Sequence, residues 1–146
     1  MQANPFARMI ALSMLIILPA CSPARSDISI SDAWTRPFQS ESGLPTALYF
    51  ALENNTPTSA QLIGATIASA DTVEIHQSEL VDGFMRMRAQ RDVTIETKAV
   101  LRFEPGSHHL MIKGLSADLA LDDSLQFTLH FANHPPIDAH AVVKWE

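Results

Sequence analysis

An all-β sandwich or barrel, built as a single domain, is the fold class this sequence predicts. Three observations carry the prediction. Short strand-like runs recur along the chain and are punctuated by Pro, Gly, Asn and Asp. Asp82-Gly83 stands between two such runs, a strong two-residue hairpin signal. No long amphipathic helix is evident, and at most a helical turn is expected over Asp118–Asp123. With 146 residues and 47% apolar side chains, the chain is long enough to bury a core without disulfide staples.

The N-terminus reads as an export signal. Arg8 is followed by the uncharged run Met9–Ala20, too short for a comfortable membrane span but suited to a signal peptide. That run ends Leu18-Pro19-Ala20-Cys21, which resembles a bacterial lipobox. Residues 1–20 are therefore expected to be removed, with Cys21 lipidated as the mature N-terminus. Cleavage after Ser22-Pro23-Ala24 would export the protein too, but would discard its only cysteine. Residues 21–28 then form a tether and residues 29–146 the domain.

Within the domain, Pro45–Glu53 is an apolar, strand-like run centred on Tyr49 and Phe50, closed by the turn sequence Asn54-Asn55-Thr56-Pro57. Gln61–Ile67 is a second strand, interrupted at Gly64. Thr72–His76 alternates, with Val73 and Ile75 inward and Glu74 and His76 outward. A strand ending near Leu80-Val81 turns through Asp82-Gly83 into Phe84–Arg88. Val100–Phe103 is closed by Pro105-Gly106, His108–Lys113 ends at Gly114, and Leu125–Phe131 and Ala139–Trp145 finish the chain.

Composition excludes several function classes. There are 10 Lys+Arg against 16 Asp+Glu, a formal net charge of -6, so no basic surface for nucleic acid is expected. A single cysteine excludes a disulfide framework and a multi-Cys zinc site. No general acid–base pair or activated nucleophile stands out, so no enzymatic activity is expected.

The chemistry lies in histidines and methionines at strand spacing. In a strand, residues two apart share a face. If Leu110 and Ile112 pack inward, then His109, Met111 and Lys113 face the other way, and Lys113 implies that this face is wet. A methionine there beside an imidazole is hard to explain by packing. Met85 and Met87 likewise share one face of Phe84–Arg88, although there they could serve as core filler. Thioethers suit mainly Cu(I), and imidazole also suits copper. A His/Met set without cysteine selects against zinc, iron–sulfur clusters and blue-copper electron transfer. These residues point to a Cu(I) site on one face or end of the sandwich.

The pattern is His76, ten residues, Met87, twenty-one residues, then His109-Leu110-Met111. Around it stand Val73-Glu74-Ile75-His76, Asp82-Gly83 before Met85-Arg86-Met87, and Phe103-Glu104-Pro105-Gly106. Upstream are Asp32-Ala33-Trp34-Thr35-Arg36 and Ala47-Leu48-Tyr49-Phe50. In these features the sequence resembles the periplasmic PCu(A)C-type copper chaperones, from about Ser29 to Glu146. The resemblance implies a cupredoxin-like Greek-key sandwich that binds one Cu(I) through His76, Met87, His109 and Met111. It also implies copper delivery in the bacterial periplasm, to the Cu(A) site of cytochrome c oxidase subunit II or to another assembly factor. Contact with a membrane is expected only through the lipid on Cys21.

Met85 could be an alternate or supporting ligand, and His108 a supporting residue if a bulge after Gly106-Ser107 turned it. His130, His134 and His140, with Asp138, read as surface residues that could at most bind Cu(II) weakly. Arg86, Arg88 and Arg91 form a small positive cluster, a solvated face or a dock for an acidic partner. Copper buffering or resistance would use the same site as delivery. A copper-dependent oxidoreductase would need an open coordination position and a substrate pocket, and the sequence marks neither.

Overall fold

The computed structural model describes residues 28–146. The expected signal peptide, Cys21 and all of the expected tether except Ile28 lie outside the described residues. The strands are β1 (Ile28–Thr35), β2 (Thr46–Asn54), β3 (Ala60–Thr66), β4 (Thr72–Val81), β5 (Phe84–Gln90), β6 (Val93–Ile95), β7 (Val100–Phe103), β8 (His108–Lys113), β9 (Ser124–Phe131) and β10 (Ile137–Val143). A single 3-10 turn, Ser40–Ser42, lies between β1 and β2. No helix among the described residues is long and apolar enough to cross a membrane.

One continuous ladder runs β5-β4-β8-β7-β2-β1-β10-β9-β3-β6, with β8 also pairing with β2. It folds over itself at β1. Asp32 has φ 53, and the register of β1 against β2 shifts between Ser31 and Trp34. Past this bulge, Trp34 and Thr35 pair in parallel with Val142 and Val143 of β10. A bulge bends its strand and steepens the local twist. Here Trp34 and Thr35 stay paired with Tyr49 and Leu48 of β2 while they also pair with β10, so β1 joins the two layers of the β-sandwich. Phe50 of β2 stacks on Phe103 of β7 at 4.3 Å and meets Phe127 of β9 at 5.7 Å. Strands β2 and β9 are not ladder neighbours, so the second contact is packing of layer on layer. Leu48, Leu52, Leu62, Ile95, Leu110, Ile112, Leu129 and Val143 are the other large apolar side chains fully buried in the core.

The turns follow the sequence closely. Asp82 and Gly83 both take positive φ (52 and 81), the geometry of a type I′ turn, and Val81 pairs directly with Phe84. Gly64 marks a register shift against β9 rather than an interruption of β3. Three expectations need correction. Asp118–Asp123 is not helical: Leu119 bridges to Phe38, and a tight turn follows. The last strand covers Ile137–Val143, and Trp145 lies beyond it, exposed. Strands β1 and β6 were not anticipated. The Ile-Ser alternation of β1 lasts only four residues before the bulge, and β6 is only three residues long, so each signal is short.

Asn54 ends β2 and is fully buried. Its Nδ2 donates to the carbonyls of Thr58 (2.8 Å) and Ile95 (3.0 Å). Its Oδ1 accepts from the Thr56 amide (3.0 Å) and the Thr56 hydroxyl (2.7 Å). A buried amide with all of these partners does what a backbone ladder cannot do in a turn: it satisfies the buried groups of Thr56 and Ile95 as well as the part-buried Thr58 carbonyl.

Candidate metal centre

β4 and β8 pair antiparallel in unbroken register, and His76 lies directly opposite His109. The same register sets Glu74 opposite Met111, so both pairs stand on one face of the sheet. On the other side of β4, Ser78 pairs with Met87 and Leu80 with Met85. Since Ser78 and Leu80 share the face of His76, both methionines of β5 share it too. Strand alternation thus brings His76, Met87, His109 and Met111 to one face of three adjacent strands, with Met85 beside them.

The environments of these residues differ. Met85 and Met87 are 56% and 59% exposed, so they are not core filler. His109 is only 4% exposed, a correction to the expectation of a wet face. Tyr49 covers it from β2, with ring centroids 6.4 Å apart, and Trp34 in turn packs on Tyr49 at 4.7 Å. Lys113, the residue that suggested solvent, is held by Glu74 through contacts of 2.9 and 2.8 Å. Met111 is half-buried and reaches a groove of about 850 Å³ lined by Phe38, Leu44, Ala47, Tyr49 and Trp145. His108 pairs with Gln77 without a bulge, so it stays on the opposite face, near Phe103 at 5.8 Å.

The residues present fit a soft metal ion. The His76 and His109 ring centroids are 5.7 Å apart. An ion about 2 Å from one nitrogen of each ring would place the centroids roughly 5–6 Å apart. His76 Nδ1 is buried without a hydrogen-bond partner, which is costly unless something binds it. His109 Nδ1 lies 3.3 Å from the Ser107 carbonyl, so it carries the proton and leaves Nε2 with its lone pair. No group of three or more His, Cys, Asp or Glu that could hold a metal exists among the described residues. The other soft donors on this face are the thioethers of Met87, Met111 and Met85.

The remaining histidines do not form a cluster. His130 contacts the Thr66 hydroxyl (2.9 Å), His140 lies 3.5 Å from the Ser124 hydroxyl, and His134 stands edge-on to Phe131. Asp138 accepts from the Thr128 hydroxyl (2.6 Å). Arg88 pairs with Glu79 across the β4–β5 hairpin, while Arg86 and Arg91 are exposed.

Electrostatics at the centre follow from burial and pairing. Desolvation pushes the His109 imidazole below its ordinary value; the Ser107 carbonyl opposes this, and His76 and His108 add to it. Burial likewise lowers His108. Lys113, and after it His76, hold the Glu74 carboxyl below the usual carboxylate range. For both histidines the unfolded chain takes up a proton near pH 6.5 while the native state still refuses it. Stability therefore falls as pH drops through 6.5 toward the lower native values. The Glu74 contribution is lost only at lower pH, below the ordinary carboxylate value. Thermal melts of the metal-free protein from about pH 7.5 to about pH 5.5 should show a falling Tm, and His108→Gln/His109→Gln should flatten that slope. An equally steep slope in the double variant would contradict the assignment.

Comparison with known proteins places this geometry in context. Residues 28–143 match the family model described as "Putative lipoprotein LpqE-like". The "Putative lipoprotein Lxx21020" of Leifsonia xyli subsp. xyli is 28% identical over 107 residues, 73% of this chain. The chain spans 63% of that curated relative, somewhat under two thirds of its length. Among solved structures, the "Copper-bound PCuAC domain from PmoF2" aligns with a TM-score of 0.67 and 19% identity, over 81% of this chain and 92% of that one. The "Solution structure of CuI-DR1885 from Deinococcus Radiodurans" aligns with a TM-score of 0.56 and 21% identity, over 86% of this chain and 81% of that one. At these identities the likeness establishes a shared fold.

Proposed function

The chain belongs to the LpqE-like lipoprotein family, and from that membership and the β4–β5–β8 face we propose that it is an exported Cu(I) carrier. It holds one ion through His76, Met87, His109 and Met111. The observation that carries this reading is the opposed His76/His109 pair, 5.7 Å apart and flanked by thioethers, with His76 Nδ1 buried and unpartnered. The PCuAC fold shared with a copper-bound and a Cu(I) structure supports it.

The division of exposure suits a carrier. His109 is an anchored, water-excluded donor, while Met87 stands 59% exposed at the rim. An incoming ligand can replace the Met87 thioether while the buried donors still hold the ion. Thioethers are not protonated in water, so proton competition falls on the two histidines. Copper is the cargo and only its coordination bonds are exchanged, so we assign no enzymatic activity. The protein acts in the bacterial periplasm, lipid-anchored through Cys21, and passes copper toward the Cu(A) centre of cytochrome c oxidase. Buffering of periplasmic copper would use the same site, and transfer separates the two readings. Mixed anaerobically with the metal-free soluble Cu(A) domain of oxidase subunit II, the Cu(I)-loaded protein should give up its ion faster than a small-molecule chelator of equal affinity does. Equal or slower release would favour buffering.

A further inference from the structure

We propose that Glu74 is a positioning residue that locks the His76 imidazole with its proton on Nε2, so that His76 presents Nδ1 to copper while His109 presents Nε2. This inference rests on the copper reading of the site and adds to it which nitrogen of each histidine binds, and why.

Strand alternation puts Glu74 two residues before His76 on the same face of β4, and its Oε2 lies 2.8 Å from His76 Nε2. Lys113 Nζ contacts both carboxylate oxygens of Glu74, at 2.9 and 2.8 Å, and keeps that carboxylate in place and ionised. An ionised carboxylate only accepts hydrogen bonds, so His76 Nε2 must be the donor. In a neutral imidazole the other nitrogen then carries the lone pair. That nitrogen, Nδ1, is buried and left without a partner. At His109 the constraint is reversed. The Ser107 carbonyl can only accept, so Nδ1 holds the proton and Nε2 is free. Two directly opposed histidines are thereby fixed in opposite tautomers, each by a neighbour that cannot itself donate. A carboxylate bound to the far nitrogen also raises the basicity of the ligating one.

The test is long-range 15N–1H correlation of the imidazoles in the wild-type protein, above the histidine titration range, before and after one equivalent of Cu(I). Before copper, His76 should show the Nε2–H form and His109 the Nδ1–H form. On loading, the Cu(I)-dependent shift should fall on Nδ1 of His76 and Nε2 of His109. Glu74→Ala should let the His76 tautomers mix and weaken Cu(I) binding about 10- to 100-fold, as loss of a ligand's outer partner does. Glu74→Gln, whose amide oxygen still accepts from Nε2–H, should recover much of that loss. A copper shift on Nε2 of His76, or unchanged tautomer and affinity in Glu74→Ala, would overturn the proposal while leaving the copper reading intact. A wild-type protein that takes up no Cu(I) would instead sink the copper reading, and this proposal with it.

Discussion

Replacing His109 and Met111 together by alanine is expected to weaken Cu(I) binding by a factor on the order of 1000 or more. The estimate has a floor: removing only the outer partner of a metal ligand typically costs about 10- to 100-fold. Here two of four ligands go, one of them the most deeply buried donor of the set. The register predicts how the loss divides. His109 is opposite His76 and Met111 is opposite Glu74, so the double variant strips β8 of both contributions and leaves His76 and Met87 alone. Anaerobic titration against a chromophoric Cu(I) chelator reads the effect, with one tight equivalent expected for the wild type and none for the variant. The fold should survive, because the side chains that build the core from β8 are Leu110 and Ile112 on its other face. Wild-type affinity in the double variant would mean that the copper, if bound, sits elsewhere.

A different substitution should have the largest effect on stability without touching the centre. Asn54→Ala removes a donor from the buried Ile95 carbonyl and one from the part-buried Thr58 carbonyl, together with the buried acceptor of the Thr56 amide and hydroxyl. Each buried group left unsatisfied costs about 1–3 kcal/mol. Partial rearrangement brings the sum to about 3–4 kcal/mol, a large share of the roughly 5–15 kcal/mol that holds a domain together. The expected result is a Tm lower by on the order of 10 °C. Copper binding should be unchanged below that temperature. Asn54 pairs with Ile28 at the end of β2 remote from Thr46–Leu48, the residues that pair with β8. A shift of only a degree or two would show that water replaces the lost partners.

The contrast between these two sites shows what was legible in the sequence. The face of His76, Met87, His109 and Met111 was legible because strand periodicity is local. Two residues apart means one face, and the Asp82-Gly83 turn fixes how β5 folds back on β4. Less legible was what covers that face. His109 was read as exposed because Lys113 follows it at strand spacing, yet Tyr49 comes from a strand some sixty residues earlier in the chain and buries it. Lys113 itself is exposed and ion-paired with Glu74, so the face is wet at that end and covered at His109. The exposure of Met85 and Met87 was ambiguous for the same reason: alternation says which residues share a face but not whether another layer lies over it. Asn54 carried a turn signal only. Its role depends on β6, three residues long and too short to announce itself. Glu74 had a readable position two residues before His76, and the orphaned nitrogen that gives it a purpose appears only once the side chains are placed.

Copper K-edge X-ray absorption of the protein loaded anaerobically with one equivalent of Cu(I) tests the central claim most directly, because it sees donor atoms rather than affinity. A shell of two imidazole nitrogens and two thioether sulfurs is the predicted result, with sulfur scattering diminished in Met87→Ala and Met111→Ala. A first shell of nitrogen and oxygen alone, or one whose sulfur signal survives loss of both methionines, would contradict it.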